Sequence, residues 1–311
     1  MIDLDNSKKY LVAFSGGADS ALLAFLLKKN GFDFRLIHVN HGWSRASKDG
    51  KDIQDFCEAW ANHFEIPLTC VNIIADILPR SIKRFGTEAA ERTARYAIFE
   101  RHLQQGEILL TGHHLDDSIE TVLMNLCRGT SVNGLTGISP ESDFACSKIL
   151  RPLSRTKKSE ILAMCAAEAV YYRHDRTNDE NTQTRNFMRN EIIPRLHDRF
   201  GEQLYASLVK VMENMSECSE LIRETYANDY SSCVFRDNQV HLANFLRLTT
   251  LHQQNFIYHL VQSKLGIQLS KSHIREVLKK LAVDRVLRIN VAGVIFTKSD
   301  GCFTIRRLNS D

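Results

Sequence analysis

Near its start the chain reads Tyr10-Leu11-Val12-Ala13-Phe14-Ser15-Gly16-Gly17-Ala18-Asp19-Ser20-Ala21-Leu22-Leu23. The first five residues are apolar and partly β-branched or aromatic, which predicts a buried parallel strand. Strong helix formers follow Ser20 and run to Lys29, and Asn30-Gly31 then provide a C-cap. A glycine-rich turn therefore joins a buried strand to the N-terminus of a helix, where backbone N–H groups favour an anion such as phosphate.

This turn is not the common phosphate loop, because that motif places Lys and then Ser or Thr after its last glycine. Here the loop holds no Lys, and Asp19 occupies its middle. A carboxylate beside phosphate is favourable only when a divalent metal lies between them, since like charges repel. The alternative is an ordinary strand-to-helix turn in which Asp19 and Ser20 cap the helix. The strand before the turn and the helix after it favour nucleotide binding.

Strands and helices alternate through the first half of the chain. The predicted strands cover 10–14, 34–40, 68–73 and 108–112, and the predicted helices cover 21–29, 51–63, 88–104, 117–127 and 158–169. Alternation with short connections predicts an α/β fold with a doubly wound parallel sheet, whose ligands bind at the carboxyl ends of the strands.

The pattern changes after about residue 199. A long helix is predicted over 203–225, followed by helices over 251–265 and 272–281 and β-prone runs over 286–292, 294–298 and 302–306. This order predicts a smaller α+β C-terminal domain. We therefore expect a catalytic domain over 1–215 and a helical linker with a small basic domain over 216–311.

The 311-residue chain has the composition of an ordinary globular protein, with 43% hydrophobic and 25% charged residues. No apolar stretch approaches the roughly 20 residues of a membrane span, and the polar start is not a signal peptide. We therefore expect a cytoplasmic protein without a membrane partner. The eight cysteines form no C-x-x-C pair, which argues against a disulfide framework, a zinc site or an iron–sulfur site.

The C-terminal residues carry an excess of positive charge. From Lys264 onward there are ten Lys and Arg against four Asp and Glu, whereas the preceding residues carry 30 basic and 33 acidic side chains. A basic piece beside a near-neutral body is typical of an electrostatic surface for nucleic acid. A solvated helix face rich in Lys and Arg is an equally good alternative.

A second polar motif follows the fourth predicted strand and reads His113-His114-Leu115-Asp116-Asp117-Ser118-Ile119-Glu120-Thr121. Asp117 and Glu120 are three residues apart, so they share one face near the N-terminus of the predicted helix. Histidine and carboxylate side chains there can hold Mg²⁺, orient a cationic amine and act as a general base. Helix capping by the carboxylates is the alternative, and it leaves the two histidines unexplained.

These motifs resemble those of known protein families. The segment from Ser15 to Ser20 resembles the SGGxDS loop of the ATP-pyrophosphatase (PP-loop) superfamily, whose members split ATP between its α- and β-phosphates. That loop, the Glu88-Ala89-Ala90-x-Arg92-x-x-Arg95-Tyr96 segment, the motif from His113 to Thr121, Arg151-Pro152-Leu153 and Arg185-Asn186-x-x-Arg189 occur in one order. This order resembles the tRNA(Ile)-lysidine synthetase family over roughly residues 10–200. The family uses ATP to join L-lysine to C2 of the wobble cytidine in an isoleucine tRNA with a CAU anticodon, which changes decoding from AUG to AUA.

The resemblance implies roles for particular residues. The ATP site would comprise Ser15, Gly16, Gly17, Ala18, Asp19, Ser20, His38 and Asn40, with Mg²⁺ on Asp19. The catalytic groups would be Asp19, Asp117, Glu120 and His113, with Asp117 and Glu120 holding the lysine ammonium. Phosphate of ATP or tRNA would be bound by Arg92, Arg95, Arg185 and Arg189. The implied cofactors are ATP and Mg²⁺, the implied partners are tRNA(Ile) and L-lysine, and a homodimer is left open.

Three rival functions remain at this point. A tRNA thiolase of the same superfamily would typically need paired cysteines, and the chain has no C-x-x-C. An ammonia-dependent amidation of a nucleotide would not need the basic C-terminal residues or the Arg185-Asn186-x-x-Arg189 segment. A non-catalytic ATP-sensing module would not need the His, Asp and Glu residues of the second motif.

Overall fold

The computed structural model describes residues 4–40, 47–73, 87–173, 183–234, 239–283 and 287–308. The chain divides into two compact units, Met1–Glu213 and Asn214–Asp311. Within the described residues, no helix has both the length and the apolar character needed to cross a bilayer.

A six-stranded sheet forms the centre of the first unit. Its strands are β1 (Lys9–Ala13), β2 (Asp33–Asn40), β3 (Leu68–Asn72), β4 (Glu107–Leu110), β5 (Glu141–Phe144) and β6 (Ser147–Leu150), in the order β3-β2-β1-β4-β6-β5. All neighbouring pairs are parallel except β5 with β6, which form an antiparallel edge hairpin. The predicted doubly wound parallel sheet is confirmed. The hairpin was not predicted, because Glu141-Ser142-Asp143-Phe144 is too short and polar to show a strand pattern.

The helices of this unit connect the strands and continue beyond them. They are α1 (Ala18–Lys29), α2 (Ser47–His63), α3 (Thr87–His102), α4 (Leu115–Arg128), α5 (Lys158–Ala167), α6 (Thr184–Phe187) and α7 (Ile193–Phe200). A 3₁₀ turn covers Val132–Leu135, and a π-helical segment covers Met188–Ile192 between α6 and α7.

Alternating residues of the central strand show why the sheet is covered on both faces. Tyr10, Val12 and Phe14 pack into one apolar core with residues of α1, α2 and α5. Leu11 packs into a separate core with Phe99 of α3. Successive side chains of a strand point to opposite faces. The uninterrupted apolar run of β1 is therefore what a strand buried on both faces requires.

The long helix α8 (Gln203–Cys233) contains the division between the two units. The sequence pattern predicted a break at Asp229-Tyr230-Ser231-Ser232, and that prediction was wrong. The helix continues because Tyr230 stacks on Phe256 and the serine hydroxyls of this segment donate to carbonyls three residues earlier. Tertiary packing therefore overrides the weak helix propensity of this segment.

The second unit is a smaller α+β domain, as predicted. Its elements are β7 (Val240–His241), α9 (Leu242–Arg247), α10 (Thr250–Leu265), α11 (Lys271–Val283), β8 (Leu287–Val291), β9 (Val294–Ser299) and β10 (Cys302–Arg307). The strands form an antiparallel sheet in the order β7-β10-β9-β8. Phe245, Phe256, Phe296 and Phe303 form its fully buried aromatic core.

Candidate active site

The loop from Ser15 to Ser20 is closed by its own serines. Ser20 Oγ accepts a hydrogen bond from the Ser15 backbone N–H at 3.1 Å and donates to the Gly17 carbonyl at 3.1 Å. Gly17 is the N-cap residue of α1 and, because it has no side chain, supplies no side-chain cap. The capping alternative for Asp19 and Ser20 is therefore not what the loop shows. Ser20 instead holds the turn in a fixed shape at the positive end of α1.

Two glycines allow the loop to approach its neighbours closely. Gly16 has φ +80°, and a Cβ atom there would lie 3.1 Å from Cys57 Sγ of α2. Gly112 follows β4, and a Cβ atom there would lie 3.1 Å from the backbone of Asp19 and Ser20. Gly112 therefore brings the second motif directly against the first turn of α1.

His38 and Asn40 of β2 lie at the carboxyl end of the sheet, beside the loop. His38 is buried, and its Nδ1 lies 2.9 Å from the Phe14 carbonyl oxygen. Burial lowers the pKa of His38. Asn40 is the last residue of β2, and its carbonyl accepts the N–H of Ile73. Both residues are thus near the predicted nucleotide site, and His38 also has a structural partner.

His113 lies in the segment between β4 and α4. Its Nδ1 is 2.8 Å from Thr111 Oγ1. Burial lowers the pKa of His113 to about 4, and the positive charges of Arg151, Arg92 and Arg185 act in the same direction against the opposing effect of Asp117. The imidazole is therefore neutral near pH 7, which is the form that can accept a proton.

His114 connects the two motifs. Its Nε2 lies 3.7 Å from Asp19 Oδ1 and 3.6 Å from Asp117 Oδ2, and its Nδ1 lies 3.5 Å from Asp116 Oδ2. Burial alone would lower the pKa of this imidazole, but the three carboxylates raise it above its ordinary value. His114 is 4% exposed, so this buried imidazole lies between the three carboxylates.

Asp117 and Glu120 of α4 are held by two arginines from the segment after residue 183. Glu120 is fully buried and accepts hydrogen bonds from Arg185 Nε at 2.7 Å and from Arg189 Nε at 2.5 Å. Asp117 Oδ1 lies 3.2 Å from Arg185 Nη2 and 3.3 Å from Arg189 Nη2. Burial would raise the pKa of Asp117, but His114 and Arg185 hold it below its usual range. The structure thus brings together two predicted lysine-binding residues and two predicted phosphate-binding residues.

Arg92 and Arg95 lie on α3, near this cluster. The Arg92 guanidinium lies over the Tyr96 ring at 4.9 Å from its centroid, and Arg92 is exposed. Burial lowers the pKa of Arg95, and the positive charges of Arg92 and Arg185 add to that effect. Several arginines therefore share one region, an arrangement that phosphate groups would stabilise.

Lys158 and Asp116, like His114, lie outside the predicted set and belong to the same site. Lys158, the first residue of α5, places its Nζ 2.6 Å from Asp19 Oδ1. Asp116 accepts the Lys158 backbone N–H at 2.7 Å and the Tyr205 hydroxyl at 2.7 Å, and with His114 these donors lower its pKa to about 2 against the opposing effect of burial. His114 and Asp116 were quoted within the second motif, whereas no local sequence signal points to Lys158, which lies 139 residues from Asp19.

Mg²⁺ is the ion that the chemistry of the loop implies. Among the described residues, no group of three His, Cys, Asp or Glu side chains forms an all-protein metal cage. Mg²⁺ is usually bound through one or two carboxylates together with substrate phosphates and water. Asp19 and Asp117 approach the same imidazole nitrogen from two motifs. This set fits an ion that arrives with a nucleotide, with Asp19 as the carboxylate of the loop.

A cavity of about 420 Å³ adjoins the carboxylate cluster. Its lining includes His114, Glu120, Lys158, Arg189 and Tyr205. Small-molecule sites have volumes of this order, with a few charged groups that fix orientation. The arrangement would therefore suit an anion at the loop and a cation at the carboxylates of Asp117 and Glu120, with a cavity beside Glu120.

Comparison with known proteins gives this geometry a family. The PP-loop domain profile matches residues 1–196. A protein of Haemophilus ducreyi named tRNA(Ile)-lysidine synthase is 33% identical, over 79% of this chain and 56% of its own length. A protein of Chlamydia felis with the same name is 33% identical, over 70% of this chain and 67% of its own length.

The chain spans little more than half the length of several such relatives. Among solved structures, a U34-tRNA thiolase of Methanococcus maripaludis superposes with a TM-score of 0.55 at 22% identity, over 69% of this chain and 74% of that one, which shows the shared fold alone. On the profile match and the two relatives, this chain belongs to the PP-loop domain family.

Proposed function

We propose that the chain is a tRNA(Ile)-lysidine synthetase, a ligase that forms a carbon–nitrogen bond. The observation that carries the proposal is the meeting of Asp19 of the SGGADS loop and Asp117 of the second motif at the His114 imidazole. The names of relatives about one-third identical to the chain support this choice of reaction. The proposed substrates are ATP, L-lysine and a tRNA(Ile) with a CAU anticodon.

In the first step the cytidine O2 attacks the α-phosphorus of ATP, and the bond to the β-phosphate oxygen breaks. The electron pair of that bond leaves with pyrophosphate. Ser15, Gly16, Gly17, Ala18 and Ser20 would bind the phosphates at the N-terminus of α1, and Asp19 would hold Mg²⁺ there. The ion would neutralise charge on the leaving pyrophosphate. His38 and Asn40 border the nucleoside side of the site.

In the second step the lysine ε-amine forms a bond to C2, and AMP leaves with the electron pair of the C2–O bond. The amine has a reference pKa of about 10.4, so it arrives protonated. Asp117 and Glu120 bind the ammonium, and one of them takes its proton, with His113 as the second acceptor. The cavity of about 420 Å³ beside Glu120 would receive the lysine side chain.

Arg185 and Arg189 contact the proposed lysine-binding carboxylates. Without ligands, Arg185 and Arg189 neutralise Asp117 and Glu120. Binding of the lysine ammonium therefore requires these guanidinium groups to exchange a carboxylate for a phosphate of ATP or tRNA. Arg92 and Arg95 lie in the same region and would bind phosphate as well.

The second unit would contact the tRNA. Three basic residues at spacings of four, Lys271, Arg275 and Lys279, are exposed along α11. Residues at this spacing lie on one helix face. A positive stripe of this kind suits the phosphate backbone of RNA.

The proposal also includes assembly as a homodimer and a cytoplasmic location. Analytical sedimentation would measure the oligomeric state.

The direct test is incorporation of radiolabelled lysine into unmodified total tRNA with ATP and Mg²⁺. The wild type should incorporate label, and Asp19→Ala and Asp117→Ala should not. Label without ATP would contradict the proposed adenylation. Pyrophosphate release without lysine incorporation would retain the ATP chemistry and point to the thiolation or amidation rivals, and no pyrophosphate release with tRNA present would favour an ATP-sensing module.

A further inference from the structure

We infer that Lys158 is the phosphate-binding lysine of this site, a cation that the loop itself lacks. A phosphate loop of the common type carries its lysine within the loop, whereas here Asp19 follows the glycines. The fold supplies an ammonium from the first residue of α5, and that ammonium contacts Asp19. The inference rests on ATP use by the proposed function and is independent of which tRNA or amine is used.

The position of Lys158 is fixed by its backbone. Its N–H donates to Asp116 Oδ2 at 2.7 Å, and the other oxygen of Asp116 accepts the Tyr205 hydroxyl at 2.7 Å. Asp116 itself lies in the first turn of α4, in the motif that Gly112 brings against α1. The start of α5 is thus attached to the element that packs on the loop.

The side chain of Lys158 is free to exchange its partner. It is 37% exposed, and its Nζ is bound to the one loop residue that repels phosphate. When an anion occupies the N-terminus of α1, Lys158 turns from Asp19 to that anion, and Asp19 becomes available to a divalent ion. A lysine ammonium is a compact charge with three donors on a flexible stem, which suits this exchange.

The alternative is an ion pair that only holds α5 to α1. The two interpretations differ in the sign expected for Asp19→Asn. If the pair is structural, loss of either partner harms the site in the same direction. If Lys158 binds phosphate, loss of Asp19 removes a repelling charge and frees the lysine, so pyrophosphate affinity without metal rises.

The test is calorimetric titration of the full chain with inorganic pyrophosphate in the presence of EDTA. Lys158→Gln should weaken binding roughly 10- to 100-fold, the usual effect of losing a charged hydrogen bond. Lys158→Arg should keep most of the affinity, and Asp19→Asn should strengthen binding several-fold. The matched control is Lys157→Gln, because the neighbouring Lys157 is directed to Glu202 and not to the loop. That control should bind pyrophosphate as the wild type does.

A second measurement needs no variant. Acylation of lysines in the wild-type chain, followed by mass spectrometry, should show that pyrophosphate protects Lys158 and leaves Lys157 reactive. Equal reactivity of Lys158 with and without pyrophosphate would overturn the inference. So would weaker pyrophosphate binding by Asp19→Asn without metal, or unchanged binding by a folded Lys158→Gln variant.

These readouts separate the inference from the proposed function. Pyrophosphate binding and lysine protection do not depend on which carbonyl is activated. If the chain fails to incorporate lysine into tRNA, but Lys158→Gln weakens pyrophosphate binding and pyrophosphate protects Lys158, the inference stands and the proposed reaction is wrong. If the chain incorporates lysine but Lys158 affects neither measurement, only the inference is wrong.

Discussion

His113 and His114 are adjacent identical side chains whose surroundings change their pKa values in opposite directions. Burial and nearby arginines lower the pKa of His113 to about 4, whereas three carboxylates raise that of His114. His113 is thus available as a proton acceptor, while the acidic groups around His114 favour its protonated form. At this scale the chemistry depends on which charges the fold places around each ring.

The depressed pKa of His113 predicts a pH-dependent difference in stability. The unfolded chain protonates this histidine near pH 6.5, whereas the folded chain does so near pH 4, so the contribution is full above pH 6.5 and is lost as pH falls to about 4. Relative to His113→Gln, the wild type should lose up to about 3 kcal/mol of unfolding free energy over this range. Urea unfolding at several pH values would measure it.

The matched control for this prediction is His63→Gln at the exposed end of α2. Its stability should change with pH in parallel with the wild type. A His113→Gln curve that also runs parallel to the wild type would contradict the assigned pKa.

At the scale of elements, ion pairs connect α4 to α6 and to the π-helical segment that follows α6. Arg185 and Arg189 are four residues apart and converge on Glu120, which has no exposure of its own. A buried carboxylate without a partner is unfavourable, because burial removes its water. The two arginines therefore stabilise the attachment of this segment as well as the charge of the site.

Removing both arginines should cost more than removing either one alone. With Arg185→Gln and Arg189→Gln combined, Glu120 is left buried and unpaired, and we expect a loss of about 3–5 kcal/mol in unfolding free energy. Each single variant keeps one guanidinium on Glu120 and should lose less than half as much. Denaturant unfolding of the singles and the double would measure this.

Arg195→Gln is the control for the arginine variants. Its partner Glu191 is on the same helical stretch and the Arg195 side chain is 77% exposed, so the loss should stay below about 0.5 kcal/mol. Additive and small effects of Arg185→Gln and Arg189→Gln would contradict the stabilisation of Glu120 by these two guanidinium groups.

The end of β4 packs closely against the start of α1 at Gly112. In Gly112→Ala, the new Cβ would meet the backbone of Asp19 and Ser20 at 3.1 Å, so the end of β4 and the start of α1 must move apart. We expect ATP affinity to fall about tenfold or more, because backbone N–H groups of the loop lose their alignment. Fluorescent-ATP titration would measure it. Unchanged affinity would mean that the two motifs need not touch.

At the scale of the whole molecule, charge is distributed unequally between a near-neutral body and a basic C-terminal piece. The exposed stripe of Lys271, Arg275 and Lys279 belongs to the second unit, and the predicted ATP site belongs to the first. In the proposed function, the second unit contributes a tRNA contact and the first unit performs the chemistry, so variants can test the two contributions separately.

Changing the stripe to glutamine at all three positions should weaken tRNA binding and reduce its salt dependence. Each phosphate contact contributes a slope of roughly −0.7 to −0.9 in a plot of log affinity against log salt, so the slope should become shallower by about 2. Filter binding at several salt concentrations would measure this. Lys148→Gln, which removes a lysine paired with Glu141 in the first unit, should leave the slope unchanged. An unchanged slope for the triple variant would place the RNA surface elsewhere.

Local sequence patterns were sufficient to predict the parallel strands of the sheet, the glycine loop and the PP-loop resemblance. Local periodicity and the glycine turn are properties of neighbouring residues, so the strand of residues 10–14, the helix after Ser20 and the PP-loop resemblance were available before the fold was known. The Asp117 and Glu120 pair was also predictable, because a spacing of three fixes a shared helix face. Their roles as ligand-binding groups stay predictions.

The surroundings of those residues depend on contacts that form only in the folded chain. Lys158 contacts Asp19 from 139 residues away, and Arg189 contacts Glu120 from 69 residues away, so no local pattern could pair them. The same limit applies to the continuation of α8 past Tyr230, where packing against Phe256 outweighs local propensity. Contacts between distant residues set the charge, burial and proton affinity of each side chain, and these properties depend on the fold as a whole.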